Sequence, residues 1–264
     1  MKESSNEAIR ENKKLTFPVR ESNKSRIAGK LRYWWCWCVA AVLLLFIATP
    51  ALLFLWIIRR RIWLYPLAKW GAAVWLRSAG AHIEVKGLEN LEPDRSYVFI
   101  SNHRSYLDTA TLFFYSGRRM GLVAKKELLK IPVLGQGLNF VNIIAIDRSN
   151  PEKAISSMTK ARKVMDSGSS FGVFVEGTRA MPGELLPFKK GAFHLALQTD
   201  APIVPVAIKN SDWMMGKRTG VAYPGTIEMV MLPTIETKDE NGLRDLMGLL
   251  IETRQAIAAE LAAD

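Results

Sequence analysis

The chain has 264 residues, enough for one sizeable domain with an appendage or for two small domains. Lys and Arg outnumber Asp and Glu by 36 to 25, a net charge of +11, so the surface attracts anions such as nucleic acid, an anionic membrane or phosphorylated molecules. Cys36 and Cys38 lie one residue apart in an apolar run, which suits neither a disulfide framework nor a zinc site, and both read as buried apolar residues.

Residues 1–30 are polar and charge-rich and read as a disordered basic tail. Residues 31–80 read as a membrane-associated helical segment. From Tyr33 to Ile58 there is no charge, with Arg32 before and Arg59, Arg60 and Arg61 after. About 20 apolar residues suffice to cross a bilayer. The run starts too late and is too long for a cleaved signal peptide. All but one of the eight tryptophans fall between Trp34 and Trp75, and indole rings favour the headgroup level of a membrane. That aromatic clustering in an apolar run speaks against nucleic acid, whose binding calls for basic residues interleaved with exposed aromatics. Basic residues on both flanks give the positive-inside rule conflicting votes. Pro50 offers a break into two shorter helices that enter and leave by the same face. Ile62 to Ala79 carries Trp63, Tyr65, Trp70 and Trp75 but also Lys69 and Arg77, the pattern of a helix lying in the interface.

Residues 81–264 have the composition of a soluble α/β domain. Short apolar or alternating runs predict strands at His82–Lys86, Tyr97–Ser101, Leu122–Ala124, Ile143–Ile146, Gly172–Val175, Ile203–Ile208 and Ile227–Leu232. Helical patterns lie between them, at Leu107–Tyr115, at Pro151–Asp166 with Gly168 near its end, and at Leu243–Ala262. Strands alternating with helices predict a mixed, largely parallel sheet flanked by helices.

Three clusters carry chemistry. Asn102, His103 and Asp108 sit where a strand gives way to a helix, and strand ends are where binding sites form in α/β folds. A neutral imidazole accepts a proton from an alcohol, and a nearby carboxylate fixes its tautomer and stabilises the imidazolium. The spacing lets His103 and Asp108 meet, although Ser105 and Asp108 are equally the two ends of a helix capping box. Lys125, Lys126 and Arg148 read either as a solvated basic face or, for Arg148, as a phosphate fork after a strand. Glu176, Gly177, Thr178 and Arg179 follow another strand. There Glu176 has the chemistry to bond a polyol and Arg179 to hold a phosphate, and a structural Glu–Arg pair would look the same. Lys189, Lys190 and Gly191 open the next helix, a setting that suits an anion.

Gly168 to Gly172 matches the G-x-S-x-G pattern of hydrolases, but a nucleophile elbow needs a strand before the serine and here a helix precedes it. His82 and His194 have no acid at motif spacing and read as structural. No zinc or Walker pattern is present.

Together these residues resemble the glycerolipid acyltransferases of the lysophosphatidate acyltransferase type. The first family block, Asn-His-x4-Asp, is Asn102, His103 and Asp108. The second is similar to Lys126, Glu127 and Leu128 with Pro132, Gly135 and the closing Ile146, Asp147 and Arg148. The third, Glu-Gly-Thr-Arg, is Glu176 to Arg179, followed by Leu186 to Phe193, and the fourth is the strand Ala201 to Val206. Ala180 stands where many members have serine or asparagine.

The resemblance covers about residues 82–235. It implies a mixed α/β domain with a membrane-embedded N-terminal helical motif, His103 as general base and Asp108 as its partner. It also implies acceptor binding by Asn102, Lys126, Arg148, Glu176, Gly177, Thr178 and Arg179. The expected reaction moves an acyl group from an acyl-CoA or acyl-carrier-protein thioester to the sn-2 hydroxyl of 1-acylglycerol 3-phosphate, forming phosphatidate, with no metal or other cofactor. Lys126 or a backbone N–H near Gly177 is the expected oxyanion donor. The expected setting is an anionic membrane, the inner one in a bacterium, with the site facing the cytoplasm. Rival readings are glycerol 3-phosphate or a lyso-aminolipid as acceptor and, more distantly, a non-enzymatic membrane-binding protein.

Overall fold

The computed structural model describes residues 11–19, 24–57, 64–125, 143–146, 151–240 and 242–263. Its centre is a seven-stranded sheet of β1 (Ala81–Lys86), β2 (Val98–Ser101), β3 (Met120–Lys125), β4 (Ile143–Ile146), β5 (Ser170–Phe174), β6 (Ile203–Lys209) and β7 (Gly225–Met231). They are arranged in the order β1-β7-β6-β2-β5-β3-β4. Every neighbouring pair is parallel except β6 and β7, so the sheet is mixed and largely parallel.

Side chains alternate across a strand, and the sequence exploits this on both faces. Phe99, Val204, Val206 and Ile208 point to one face and Val98, Ile100, Ile203 and Ala207 to the other, all fully buried. The first face is covered by α3 (Leu64–Ser78), α4 (Leu107–Tyr115) and α7 (Ser211–Met215), which contribute Leu76, Leu112, Met214 and Met215. The second is covered by α5 (Pro151–Asp166), α6 (Gly191–Thr199) and α8 (Leu246–Ala262), with Met165, Phe193, Leu249 and Ile257. Central parallel strands buried on both faces read as continuous apolar runs, which is how β2 and β6 were visible.

Strand and helix positions follow the expectation closely, and α4 and α5 match it end to end. The start of α8 is a correction. Its expected first residue, Leu243, instead pairs with Lys238 in a small ladder, and Asp245 caps the helix by accepting the Gly248 N–H at 2.9 Å.

The apolar run also differs from expectation. Arg26 to Leu55 is one helix long and apolar enough to cross a membrane, about 45 Å at 1.5 Å per residue. It comprises α1 (Arg26–Val42), a π-helical stretch Leu43–Ala48 and the start of α2 (Thr49–Ile57). Pro50 does not break it. The helix runs through it with a widened turn, in which the Thr49 N–H reaches back to the Leu44 carbonyl and the Thr49 hydroxyl donates to the same oxygen at 2.8 Å.

Helix α3 folds back against α1, the Trp75 Nε1 donating to the Cys36 carbonyl at 3.1 Å. Both ends of the hairpin sit on the α/β domain: Ala222 N donates to Gly29 O, and Gly225 N to Gly80 O. Along its length α3 touches the domain again, where the Tyr65 hydroxyl donates to Arg118 O and its ring lies 5.6 Å from that of Phe113. The outer face of the long helix is bare, with Ile27 74% and Phe46 70% exposed. Such a surface is expected for a helix bathed in lipid. Cys36 is buried as expected, whereas Cys38 is exposed, one residue further round the helix.

The basic tail is not uniformly disordered: Leu15 and Thr16 pair antiparallel with Leu185 and Glu184, because that edge offers free backbone partners.

Candidate active site

Strands β6, β2 and β5 are parallel neighbours, so the segments leaving their carboxyl ends converge at one edge of the sheet. The loop after β2 carries His103. Asn102 anchors it: its amide donates to Ile208 O at 2.9 Å and accepts from Ile208 N at 2.8 Å, fully buried at the end of β6. Expected among the acceptor-binding residues, Asn102 has its amide nitrogen and oxygen engaged with backbone.

His103 Nδ1 lies 3.0 Å from Asp108 Oδ2, with the imidazole 15% and the carboxylate 0% exposed. An ionised carboxylate only accepts, so Nδ1 carries the proton and Nε2 presents its lone pair. Among the described residues Nε2 has no hydrogen-bond partner. The imidazole stacks on Phe174 at the end of β5, 4.1 Å between centroids. The same Asp108 oxygen also accepts the N–H groups of Arg104 at 2.7 Å and Ser105 at 2.8 Å, and Ser105 Oγ accepts from Leu107 N at 3.1 Å. Asp108 thus reaches back to the Ser105 N–H, one half of a capping box, and meets the imidazole with the same oxygen. One carboxylate starts α4 and orients the imidazole.

Glu176 is likewise buried. Its Oε1 accepts from His103 N at 2.6 Å and its Oε2 from Leu186 N at 2.7 Å, so the expected polyol contact gives way to a clip on backbone. Burial pushes its carboxyl up to about 7, against the pull of the two N–H groups. Gly177 makes the following turn at φ +72°, its N–H committed to Phe174 O. A Cβ there would lie 2.9 Å from the Lys189 side chain. Thr178 is exposed.

Arg179 is different. Its guanidinium lies over the Tyr106 ring, 3.4 Å from the centroid, and its Nη1 is buried without a hydrogen-bond partner among the described residues. Tyr106 belongs to the His103 loop, so an unpaired cation is held beside the imidazole. Lys217 adds a second, donating from Nζ to Arg179 O and from its backbone to Arg104 O. Nothing in the sequence marked Lys217, which lies far from every motif. Tyr106 and Phe174 stood inside the motif segments, but ring contacts leave no spacing signal. Lys126 and Arg148 fall outside the described residues.

The two rival features resolve. Ser170 opens β5 and its Oγ accepts the Tyr97 N–H at 3.1 Å, so the G-x-S-x-G serine is a strand residue. His82 and His194 are on the surface, since each faces outward from a strand or helix that buries its other side.

The acyltransferase family profile matches residues 82–209, which include the histidine loop and the Glu176 turn. Residues 82–209 are thus similar to the acyltransferase family. The chain is 40% identical over 170 residues to a 1-acyl-sn-glycerol-3-phosphate acyltransferase of Limnanthes alba, covering 64% of this chain and 59% of that one. A Pseudomonas aeruginosa protein of the same name is 36% identical over 173 residues, 64% and 65% of the two chains. The match thus spans less than two thirds of either relative. The crystal structure of the 1-acyl-sn-glycerophosphate (LPA) acyltransferase PlsC from Thermotoga maritima superposes with a TM-score of 0.74 at 20% identity, over 89% of this chain and 97% of that one. The acyltransferase fold therefore extends well beyond the profile match, into the N-terminal helices.

Proposed function

We propose that this acyltransferase moves a fatty acyl group from an acyl-CoA or acyl-carrier-protein thioester to the sn-2 hydroxyl of 1-acylglycerol 3-phosphate, forming phosphatidate. The observation that carries this is the buried Asp108–His103 pair beside the unpaired Arg179 guanidinium. His103 Nε2 takes the hydroxyl proton as that oxygen attacks the thioester carbonyl, and Asp108 stabilises the imidazolium. The tetrahedral intermediate collapses by expelling the thiolate, which takes the proton back from His103. No covalent acyl-enzyme forms, and the steps call for no metal or other cofactor.

Because the Gly177 N–H is committed to its turn, the oxyanion falls to the N–H groups of Thr178 and Arg179, for which the described residues supply no acceptor. The Arg179 side chain holds the acceptor's phosphate, an assignment that suits a charge-assisted donor whose Nη1 has no partner among the described residues. Lys126 and Arg148 are the further cations proposed from the sequence.

The apolar helix lies alongside this site, Trp37 meeting Tyr106 at 5.2 Å. We place that surface in an anionic membrane, the inner one in a bacterium, with the domain on the cytoplasmic side where acyl thioesters occur. Nucleic acid has no part in this reading. Because both ends of the hairpin sit on the domain, single cysteines near residues 25 and 90, in a background lacking Cys36 and Cys38, should both resist an impermeant thiol reagent in intact cells. Labelling of either one overturns the arrangement.

The deciding assay gives the purified chain lysophosphatidate, glycerol 3-phosphate or a lyso-aminolipid, each with both thioester donors. Lysophosphatidate should be preferred. Preference for a phosphate-free acceptor would sink the phosphate assignment, and no turnover with any acceptor would sink the enzyme reading.

A further inference from the structure

Residues 11–19 precede the apolar helix and carry none of the motifs, yet their described contacts go to three places, the segment Gly183–Phe188, the helix α8 and the Arg104 side chain. The Asn12 amide donates to Phe188 O at 2.9 Å and accepts from Phe188 N at 2.7 Å. Leu15 and Thr16 pair with Leu185 and Glu184, and Phe17 N donates to Gly183 O at 2.6 Å. Lys14 forms an ion pair with Glu184 at 2.7 Å. The approach is close enough that a Cβ on Gly183, itself at φ +75°, would lie 2.6 Å from Phe17 O. The buried Arg254 of α8 fastens both strands of this contact, donating to Leu186 O at 3.0 Å, to Glu11 O at 3.1 Å and to Lys13 O.

The clamped segment is the one that reaches His103. Leu186 N occupies one oxygen of Glu176, and the other oxygen holds the His103 N–H. A second link runs through the next residue, since Arg104 donates from Nε to Glu184 O at 2.7 Å and lies over the Phe17 ring at 5.3 Å. From the Gly183–Phe188 segment to the His103 backbone the path is therefore two hydrogen bonds long, and the Asn12–Phe188 bonds add the step from the N-terminal segment.

We propose that Glu11–Val19 is a positioning strap for His103, acting through Gly183–Phe188 and Glu176, with Asn12 and Arg254 as its fasteners. This rests on the reading of His103 as the base. Proton transfer tolerates little displacement, and a shift of about 1 Å can cost about 10²-fold in rate. Loosening the strap should lower kcat and leave the binding of both substrates intact, because among the described residues no hydrogen bond or ring contact joins Glu11–Val19 to Arg179.

The test uses the full chain with Asn12→Ala, Arg254→Lys and the double variant, in vesicles. It measures kcat, both KM values and amide hydrogen exchange in the peptide spanning residues 98–106. Lysine keeps the charge of Arg254 but lacks the planar fork that reaches these three carbonyls from separate nitrogens. The expected result is faster exchange in that peptide, kcat lower by about tenfold or more, and KM values within about twofold of the parent. A chain lacking residues 1–19 should recover kcat when a synthetic peptide of residues 10–19 is added, and a scrambled peptide should not restore it. Should that chain fail to fold, the point variants decide. Unchanged exchange overturns the mechanical link, and faster exchange with unchanged kcat overturns the positioning role. A folded His103→Ala chain with normal turnover overturns the base assignment instead, a failure the exchange measurement tells apart.

Discussion

The loop after β2 and the turn after β5 leave adjacent parallel strands at the same edge, and their polar residues differ in what they bond. In the loop, Asn102 and Ser105 are engaged with backbone, and Oδ2 of Asp108 serves three donors, while Asp108 Oδ1 and Arg104 Nη2 are buried without a partner among the described residues. In the turn, Glu176 is engaged in the same way, but Thr178 is exposed and Arg179 keeps a buried N–H without a partner among the described residues. Burying a polar group is costly unless it is bonded, so the paired residues need no ligand to account for them. Arg179, whose Nη1 has no partner among the described residues, keeps a charged donor for one. A motif thus divides into residues that hold the backbone and residues left for substrate.

The largest effect should come from His103. Replacing it with Ala should reduce turnover by at least about 10²-fold, the low end of a general base's contribution, without changing thermal stability or membrane binding. A folded variant with near-normal kcat would remove His103 from the chemistry. Arg179→Ala comes next and tests the other half of the contrast directly. Charge-assisted bonds contribute roughly 1.5 to 3 kcal/mol, so kcat/KM for the acceptor should fall about tenfold to a hundredfold. The KM for the thioester should hold. Equal losses on both substrates would make Arg179 a structural residue like Glu176.

That division was only half legible in the sequence. Strands such as β2 and β6 were visible because burial on both faces leaves continuous apolar runs, and α4 because Ser105 and Asp108 mark its start. The Asp108–His103 pair was visible because a five-residue spacing across a strand-to-helix turn brings two side chains together. Asn102 and Glu176 looked like binding residues because a polar residue at a strand end reads the same whether it bonds substrate or backbone. What separates them is a partner, Ile208 or Leu186, supplied by a distant segment. The order in residues 11–19 was invisible for a similar reason: a charged stretch gives no sign that Gly183–Phe188 offers it a backbone edge.

Glu176→Gln sharpens the paired side of the comparison. A carboxylate accepts at both oxygens, whereas an amide has one acceptor and must set its NH2 against either His103 N or Leu186 N. The cost should be about 1 to 3 kcal/mol of stability, the penalty for an unsatisfied buried donor. A pH-dependent effect accompanies it. The folded carboxyl titrates at about 7 and the unfolded one at its ordinary 4.5, so between those values the folded state holds a proton that the unfolded state has released. This contribution is therefore full below about 4.5, lost as pH rises through about 7, and flat above. Melting temperatures of parent and variant between pH 4.5 and 8 should show the parent losing stability over that window relative to Glu176→Gln. A difference independent of pH would mean the carboxyl is ionised throughout.

The smallest effect concerns what holds Arg179 in place without a salt bridge. Its guanidinium lies on Tyr106, and the same ring meets Trp37 of the apolar helix at an interplanar angle of 87°. A cation on an aromatic face contributes about 0.5 to 2 kcal/mol depending on desolvation, and here the Nη1 atom is buried, which favours the upper part of that range. Tyr106→Leu should therefore raise the acceptor KM by about three- to thirtyfold while leaving kcat close to the parent, because His103 and Asp108 are held by their own backbone contacts. Tyr106→Phe keeps the ring face and should behave as the parent. If Phe is as damaging as Leu, the hydroxyl rather than the ring positions the cation. If Leu is harmless, Arg179 is held by the acceptor alone and the turn after β5 is less prepared for its substrate than the structure suggests.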